Sequence, residues 1–208
     1  MRTVLNGVNL SINGGEFVAL LGHSGSGKST LLNLISGIEK PTSGSIVIED
    51  VDITAFRERE RTLFRRDHMG FVFQFFNLIP TLTVLENVML PLIPRSGSPR
   101  YWRESSQTIL ARLNAGELVG QSVSTLSGGQ RQRVATARAL VDAPDYILAD
   151  EPTAHQDLKN AQRLGQLLRQ AAERGAVVVV AAHDRHVDEW LKVDQHLSLA
   201  DGNLEPAP

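Results

Sequence analysis

The stretch Phe17-Val18-Ala19-Leu20-Leu21-Gly22-His23-Ser24-Gly25-Ser26-Gly27-Lys28-Ser29-Thr30 sets the reading of the whole chain. An apolar run leads into G-x-x-x-x-G-K-[S/T], and Leu31-Leu32-Asn33-Leu34-Ile35 follows, which is the strand–loop–helix setting that a phosphate-binding loop requires. Gly22, Gly25 and Gly27 let the backbone turn tightly and approach an anion, and the next helix adds its positive N-terminal end. His23, Ser24 and Ser26 complete the cradle. The spacing predicts Lys28 on the β- and γ-phosphates, Ser29 on Mg²⁺ and Thr30 at the α-phosphate. The bland alternative is a glycine-rich turn ahead of a helix, and the flanking apolar pattern argues against it.

A second helix start lies downstream in Leu126-Ser127-Gly128-Gly129-Gln130. Ser127 is a candidate N-cap, Gly128 and Gly129 expose amides, and Arg131 to Leu140 continues as a helix, so another anion site is available. Alone it reads equally well as a simple cap. Two such loops on one short chain suggest a nucleotide held between two copies of it.

Around these loops the pattern is α/β. Val8, Leu10 and Ile12 alternate, and Ser45 to Asp50 with Asp52 to Ile53 follow the turn signals Pro41 and Gly44, which predicts N-terminal antiparallel strands. Met69 to Phe73 reads as a further strand ending in Gln74. From Phe75 to Thr125 the periodicity becomes helical, at Val84-Leu85-x-x-Val88-Met89 and near Ile109-Leu110-x-x-Leu113, with Pro91 to Pro99 as a loop and Leu113 to Thr125 irregular. Then Tyr146 to Ala149, a long helix over 158–174 and Ala176 to Ala182 alternate again, as in a largely parallel, covered sheet. The expected organisation is one unit: residues 1–74 and 126–208 form the core, and a helical subdomain, 75–125, is inserted in it.

With 208 residues, 42% hydrophobic and 21% charged, the chain can bury a sizeable core. A net charge of -2 argues against a broad footprint for nucleic acid, and Arg57-Glu58-Arg59-Glu60-Arg61 with Arg65-Arg66 reads as a solvated helix face because glutamates interrupt it. Zero cysteines exclude disulfides and thiolate metal sites. No apolar run approaches the roughly 20 residues that span a bilayer, so any membrane role is expected to be borrowed from a partner.

Tyr146-Ile147-Leu148-Ala149-Asp150 is a strand ending in a carboxylate suited to orienting Mg²⁺, and Glu151 beside it can polarise a water; a solvated turn is the alternative for such a pair. His183 closes the run Val177 to Ala182, where a satisfied strand-end histidine is the alternative.

Taken together, these motifs resemble the ATP-binding subunits of ABC transporters over nearly the whole chain. The resemblance implies a P-loop NTPase fold with a RecA-like core, ATP as substrate, and Mg²⁺. It also implies a head-to-tail dimer in which Ser127, Gly128, Gly129 and Gln130 close on the γ-phosphate held by the opposite subunit. It makes Glu151 the residue that activates water and Asp150 a metal-orienting carboxylate. His183-Asp184 carries the switch histidine, Gln74 links Mg²⁺ and water to the membrane partner, and Asp157 serves the dimer interface. The stretch from Arg65 to Pro80, Thr83 to Val88 and Leu148 to Thr153 look like the branch serving lipoprotein release and macrolide export. That branch implies an integral membrane permease, docking of the chain at the cytoplasmic face of the membrane without insertion, and no nucleic acid. Phe75, Phe76, Leu78 and Ile79 are expected to line the groove for the permease or to form the helical lobe's own core. The chain departs from the family pattern at Thr153-Ala154-His155-Gln156-Asp157, where Gln156 replaces an apolar residue. It also has no aromatic before Phe17 to stack on adenine, which predicts weakened base stacking or a start upstream of Met1. A non-transport ABC ATPase, a divisome-type membrane ATPase and a catalytically idle regulator share the same nucleotide motifs.

Overall fold

The computed structural model describes residues 3–154, 156–183 and 192–207; Met1, His155 and Asp184 lie outside the described residues. In chain order, Phe17–Leu21 forms β1, Lys28–Ile35 α1, Val47–Ile48 β2, Val51–Asp52 β3, Glu58–His68 α2 and Met69–Val72 β4. Val84–Met89 forms α3, Pro99–Arg112 α4, Gly128–Leu140 α5, Tyr146–Asp150 β5, Leu158–Glu173 α6, Val177–Ala182 β6, Gln195–Ala200 β7 and Asn203–Pro206 β8.

Six strands make one sheet in the order β4-β5-β6-β1-β7-β8, parallel except where β8 returns antiparallel to β7. β1 lies between β6 and β7, covered on both faces, which is why it is uniformly apolar rather than alternating. Phe17, Ala19 and Leu21 face Leu164, Leu168 and Ala171 of α6, whereas Val18 and Leu20 face Leu31 and Leu32 of α1. A third cluster joins Val84, Val88, Leu110, Leu118 and Val123 to Val134 and Ala137 of α5. Ala139 on the same helix enters the first cluster. So α5 packs against the sheet and against α3 and α4 at once.

Register fixes where the strands end. Leu21 pairs with Ala182, Asp150 with Ala181, and Val72 with Ala149. The residues that follow, Gly22, Glu151, His183 and the Phe73-Gln74 turn, therefore emerge along one edge. In open parallel sheets, ligands occupy the crevice at the carboxyl ends of the strands.

Three local expectations change. Val8, Leu10 and Ile12 form no strand; β1 already has a neighbour on each side, so these residues pack their side chains on the sheet, and Asn6 N–H donates to Gly202 O. In the 45–53 region only β2 and β3 pair, around a two-residue turn in which Glu49 and Asp50 both have positive φ. The arginine-rich helix α2 is not wholly solvated either. Arg61 is buried with its stem against Gly37, ion-paired to Glu58, and Arg65 donates to Gly37 O at 2.7 Å. A long aliphatic stem packs well even when its head is charged.

Among the described residues 75–125 there is no strand. They carry α3, α4, three short 3-10 turns and a single bridge between Thr83 and Ser122. No helix among the described residues is long and apolar enough to cross a membrane.

Candidate functional site

The loop after β1 is closed tightly against its surroundings. A Cβ at Gly22 would fall 2.5 Å from Leu199 O and 2.7 Å from Ser26 Oγ, so only glycine fits. Gly27, at φ 107, is the N-cap of α1; having no side chain to cap with, it leaves the first-turn amides to an outside acceptor. Ser26 is buried, and its Oγ has no partner among the described residues. His23 and Ser24 are exposed at the tip, where His23 Nδ1 lies 2.8 Å from Ser24 O. Thr30 sits in the first turn of the helix.

Lys28 is only 5% exposed, and its Nζ donates to Gly22 O at 2.6 Å and His23 O at 3.1 Å. Burial pushes its pKa down, while Glu151 and Asp150 hold it up. A cation with little exposed surface, parked on two neutral carbonyls, is well suited to exchange them for phosphate oxygens.

Asp150 is buried at the end of β5 and accepts a 2.5 Å hydrogen bond from Ser29 Oγ. A hydroxyl and a carboxylate brought together by two different elements form an oxygen donor set that suits a hard divalent cation. Glu151 then turns out of the sheet at φ 50, with its N–H donating to Ala181 O, a conformation uncommon for a residue with a Cβ. Its Oε1 lies 2.6 Å from His183 Nε2, and the glutamate side chain is mostly buried while the histidine is half exposed. The structure thus brings Lys28, Ser29, Asp150, Glu151 and His183 together.

Gln74 is exposed at the same edge, in a tight turn where Phe76 N–H donates to Phe73 O. The Ser127 loop stands apart. Ser127 Oγ accepts from Gln130 N–H, and Gln130 Oε1 accepts from Ser127 N–H, a reciprocal cap at the start of α5. No hydrogen bond among the described residues joins this loop to residues 22–30. Asp157 caps α6, accepting from Asn160 N–H at 2.8 Å. Gln156 Nε2 donates to Pro152 O and closes the turn before it.

The four apolar residues after Gln74 divide. Phe75 is 82% exposed and Ile79 40% exposed, whereas Leu78 packs on the cluster that joins α3, α4 and α5. Phe76 lies under the Arg131 guanidinium, 5.5 Å from ring centroid to carbon. Phe17 is fully buried beneath Arg169 and presents no ring to a base. Sequence reasoning missed Arg138, which donates to Phe76 O and Asn77 O. Burial lowers its pKa. An arginine within an amphipathic helix carries no local pattern that announces such a contact.

The family model described as "ABC transporter" matches residues 5–154. An uncharacterized ABC transporter ATP-binding protein of Mycobacterium tuberculosis, Rv0986, is 46% identical over 207 residues, covering 99% of this chain and 83% of its own. The ABC transporter ATP-binding protein YtrE of Bacillus subtilis is 46% identical over 185 residues, covering 88% of this chain and 80% of its own. Among solved structures, the ATP-binding cassette MJ0796, a dimer in a post-hydrolysis state bound to ADP and Pi, is 43% identical with a TM-score of 0.91, over 98% of this chain and 90% of that one.

The Asp157 cap gives a pH-dependent prediction. The Asn160 N–H holds its carboxyl below the ordinary value of 3.8. A depressed carboxylate stabilises the fold above its unfolded pKa and loses that contribution as pH falls through the folded one. Asp157→Ala should therefore lower Tm by a few degrees at neutral pH. Melting curves taken at decreasing pH should show the gap to the unaltered protein narrowing below pH 3.8.

Proposed function

The chain belongs to the ABC transporter family as an ATP-binding, ATP-hydrolysing subunit, and from that premise we propose that it works as a head-to-tail homodimer that uses Mg²⁺ and drives an integral membrane permease in export or in lipid or lipoprotein extrusion. The observation that carries the dimer is the separation of the parts. Lys28, Ser29, Asp150, Glu151 and His183 converge at the strand ends, while among the described residues the Ser127 loop has no hydrogen bond to residues 22–30. The dimeric MJ0796 structure with ADP and Pi supports this reading.

In this scheme residues 1–74 and 126–208 are the nucleotide core and 75–125 the lobe that meets the permease. The amides from Gly25 to Thr30 donate to the phosphates, and Lys28 Nζ leaves its two carbonyls for the β- and γ-oxygens. Ser29 Oγ and Asp150 would hold the metal, directly or through water, and Gln74 would reach toward it; when bound, the divalent cation would supply charge neutralisation on the triphosphate. Glu151 accepts a proton from the attacking water, and His183, bonded to its Oε1, fixes the direction of that carboxylate and reaches toward the γ-phosphate. Ser127 Oγ accepts from Gln130 but keeps its own proton, which it donates to the γ-phosphate held by the partner. Asp157 faces the dimer interface. The permease brings the protein to the cytoplasmic face of the membrane, and the exposed Phe75 and Ile79 meet its cytoplasmic segment.

Three measurements test this. Lys28→Ala removes a charge-assisted contact of roughly 1.5–3 kcal/mol, so nucleotide titration should show ATP affinity falling about tenfold or more; unchanged affinity removes Lys28 from the site. Glu151→Gln should bind ATP, lose about 10²–10⁴ in turnover and accumulate as a dimer on a sizing column; normal turnover sinks its assignment as base. Phe75→Asp should keep ATP affinity and Tm while co-purification with a candidate permease co-expressed with it is lost. A complex that survives places the contact elsewhere.

A further inference from the structure

Helix α5 carries the Ser127 cap at its start and Arg138 near its end. From there the Arg138 fork reaches out of the helix, with Nη1 donating to Asn77 O at 2.6 Å and Nη2 to Phe76 O at 2.8 Å. Phe76 and Asn77 have φ of 62 and 49, consecutive left-handed residues that both carry a Cβ. A conformation so disfavoured persists only where the surroundings impose it. Here the surroundings are α5: the Arg138 fork on the two carbonyls and the Arg131 guanidinium over the Phe76 ring. Within the turn, Phe76 N–H also donates to Phe73 O and Asn77 N–H to Phe75 O, and Gln74 lies between Phe73 and Phe75.

We propose that Arg138 is a positioning residue for hydrolysis, tying the Gln74 turn to the helix whose N-terminus is the Ser127 loop. Arg138 stands eleven residues after Ser127, roughly 16 Å along a helix rising about 1.5 Å per residue. A helix of that length moves as a rod. When the Ser127 loop seats on the partner's nucleotide, the far end of the rod carries the Phe76 and Asn77 carbonyls with it, and Gln74 is presented to the metal site of its own subunit. Closure of one site thereby reports to the other. This rests on the proposed role of Gln74 and on the dimer. The planar guanidinium is what makes the link stiff: a lysine keeps the charge and the stem but cannot hold two carbonyls in fixed geometry.

The test is a double-mutant cycle on steady-state ATP hydrolysis by the full chain, using Arg138→Lys, Gln74→Ala and both together, with ATP titration and Tm for each. Arg138→Lys is expected to lower kcat about tenfold, the loss of one charge-assisted bond, while KM and ATP affinity stay within about twofold. In the Gln74→Ala background the same change should cost less than about twofold, the scatter expected of independent sites. Equal losses in both backgrounds, or an unchanged kcat, overturn the proposal. So does a rise in KM that follows a fall in Tm, since that is the mark of a packing role. If Gln74→Ala alone turns over normally, the assignment of Gln74 has failed, and Arg138 has no group to act through. Should Arg138→Lys fold poorly, Asn77→Gly releases the backbone of the turn and leaves α5 intact; it is expected to lower kcat severalfold at constant KM, and a normal kcat overturns the link.

Discussion

The hydrogen-bonded register of β1, β5 and β6 is the constraint from which the site follows. Leu21 opposite Ala182 and Asp150 opposite Ala181 put three strand ends level, and the candidate site residues are the ones that come next. Parallel strands cannot slide by one residue without turning every side chain to the other face. With both faces buried under α1 and α6, such a slip would put large and small side chains in each other's places in both packed layers. The positions of Ser29 and Asp150, on elements far apart in the chain yet 2.5 Å apart at their oxygens, are thus a product of core packing rather than of loop chemistry.

The same constraint explains the charge balance. Lys28 is drawn into the dry interior by its place at the first turn of α1, and its ammonium is tolerated because two carbonyls and the field of Asp150 and Glu151 surround it. Burying a charge without partners is costly. The carboxylates that make the lysine bearable would repel the polyphosphate of the proposed reaction, and a divalent cation on the Ser29–Asp150 oxygens would neutralise that conflict. Glu151 is turned out of the sheet by its left-handed backbone and held on His183.

What was legible in the sequence is what is local. The phosphate loop, the Ser127 cap, the strand ending in Asp150 and the helix over 158–173 are each written in contiguous residues, and α6 follows its apolar period closely. Alternation at Val8, Leu10 and Ile12 misled because a period of two reports a buried face, not a paired backbone, and β1 had no edge to offer. The charged run at Arg61 misled because a sequence does not show that Gly37 leaves space for an arginine stem. Arg138 was invisible for a related reason: its partners are backbone carbonyls, and every residue has one.

Gln156 shows how a departure from a family pattern is absorbed. In sequence it replaces an apolar residue just ahead of Asp157, where a polar side chain threatens contact between subunits. In the structure its carboxamide turns inward and donates to Pro152 O, and its own N–H donates to Thr153 O. The turn is closed from within, and Asp157 is delivered to the start of α6 with its carboxylate on the Asn160 amide. A leucine would fill the same place by packing, whereas the glutamine fills it by bonding to the backbone of the turn. The geometry of this turn is therefore held by a different and directional force, one that pairs Gln156 Nε2 with the backbone instead of leaving it without a partner in the proposed interface.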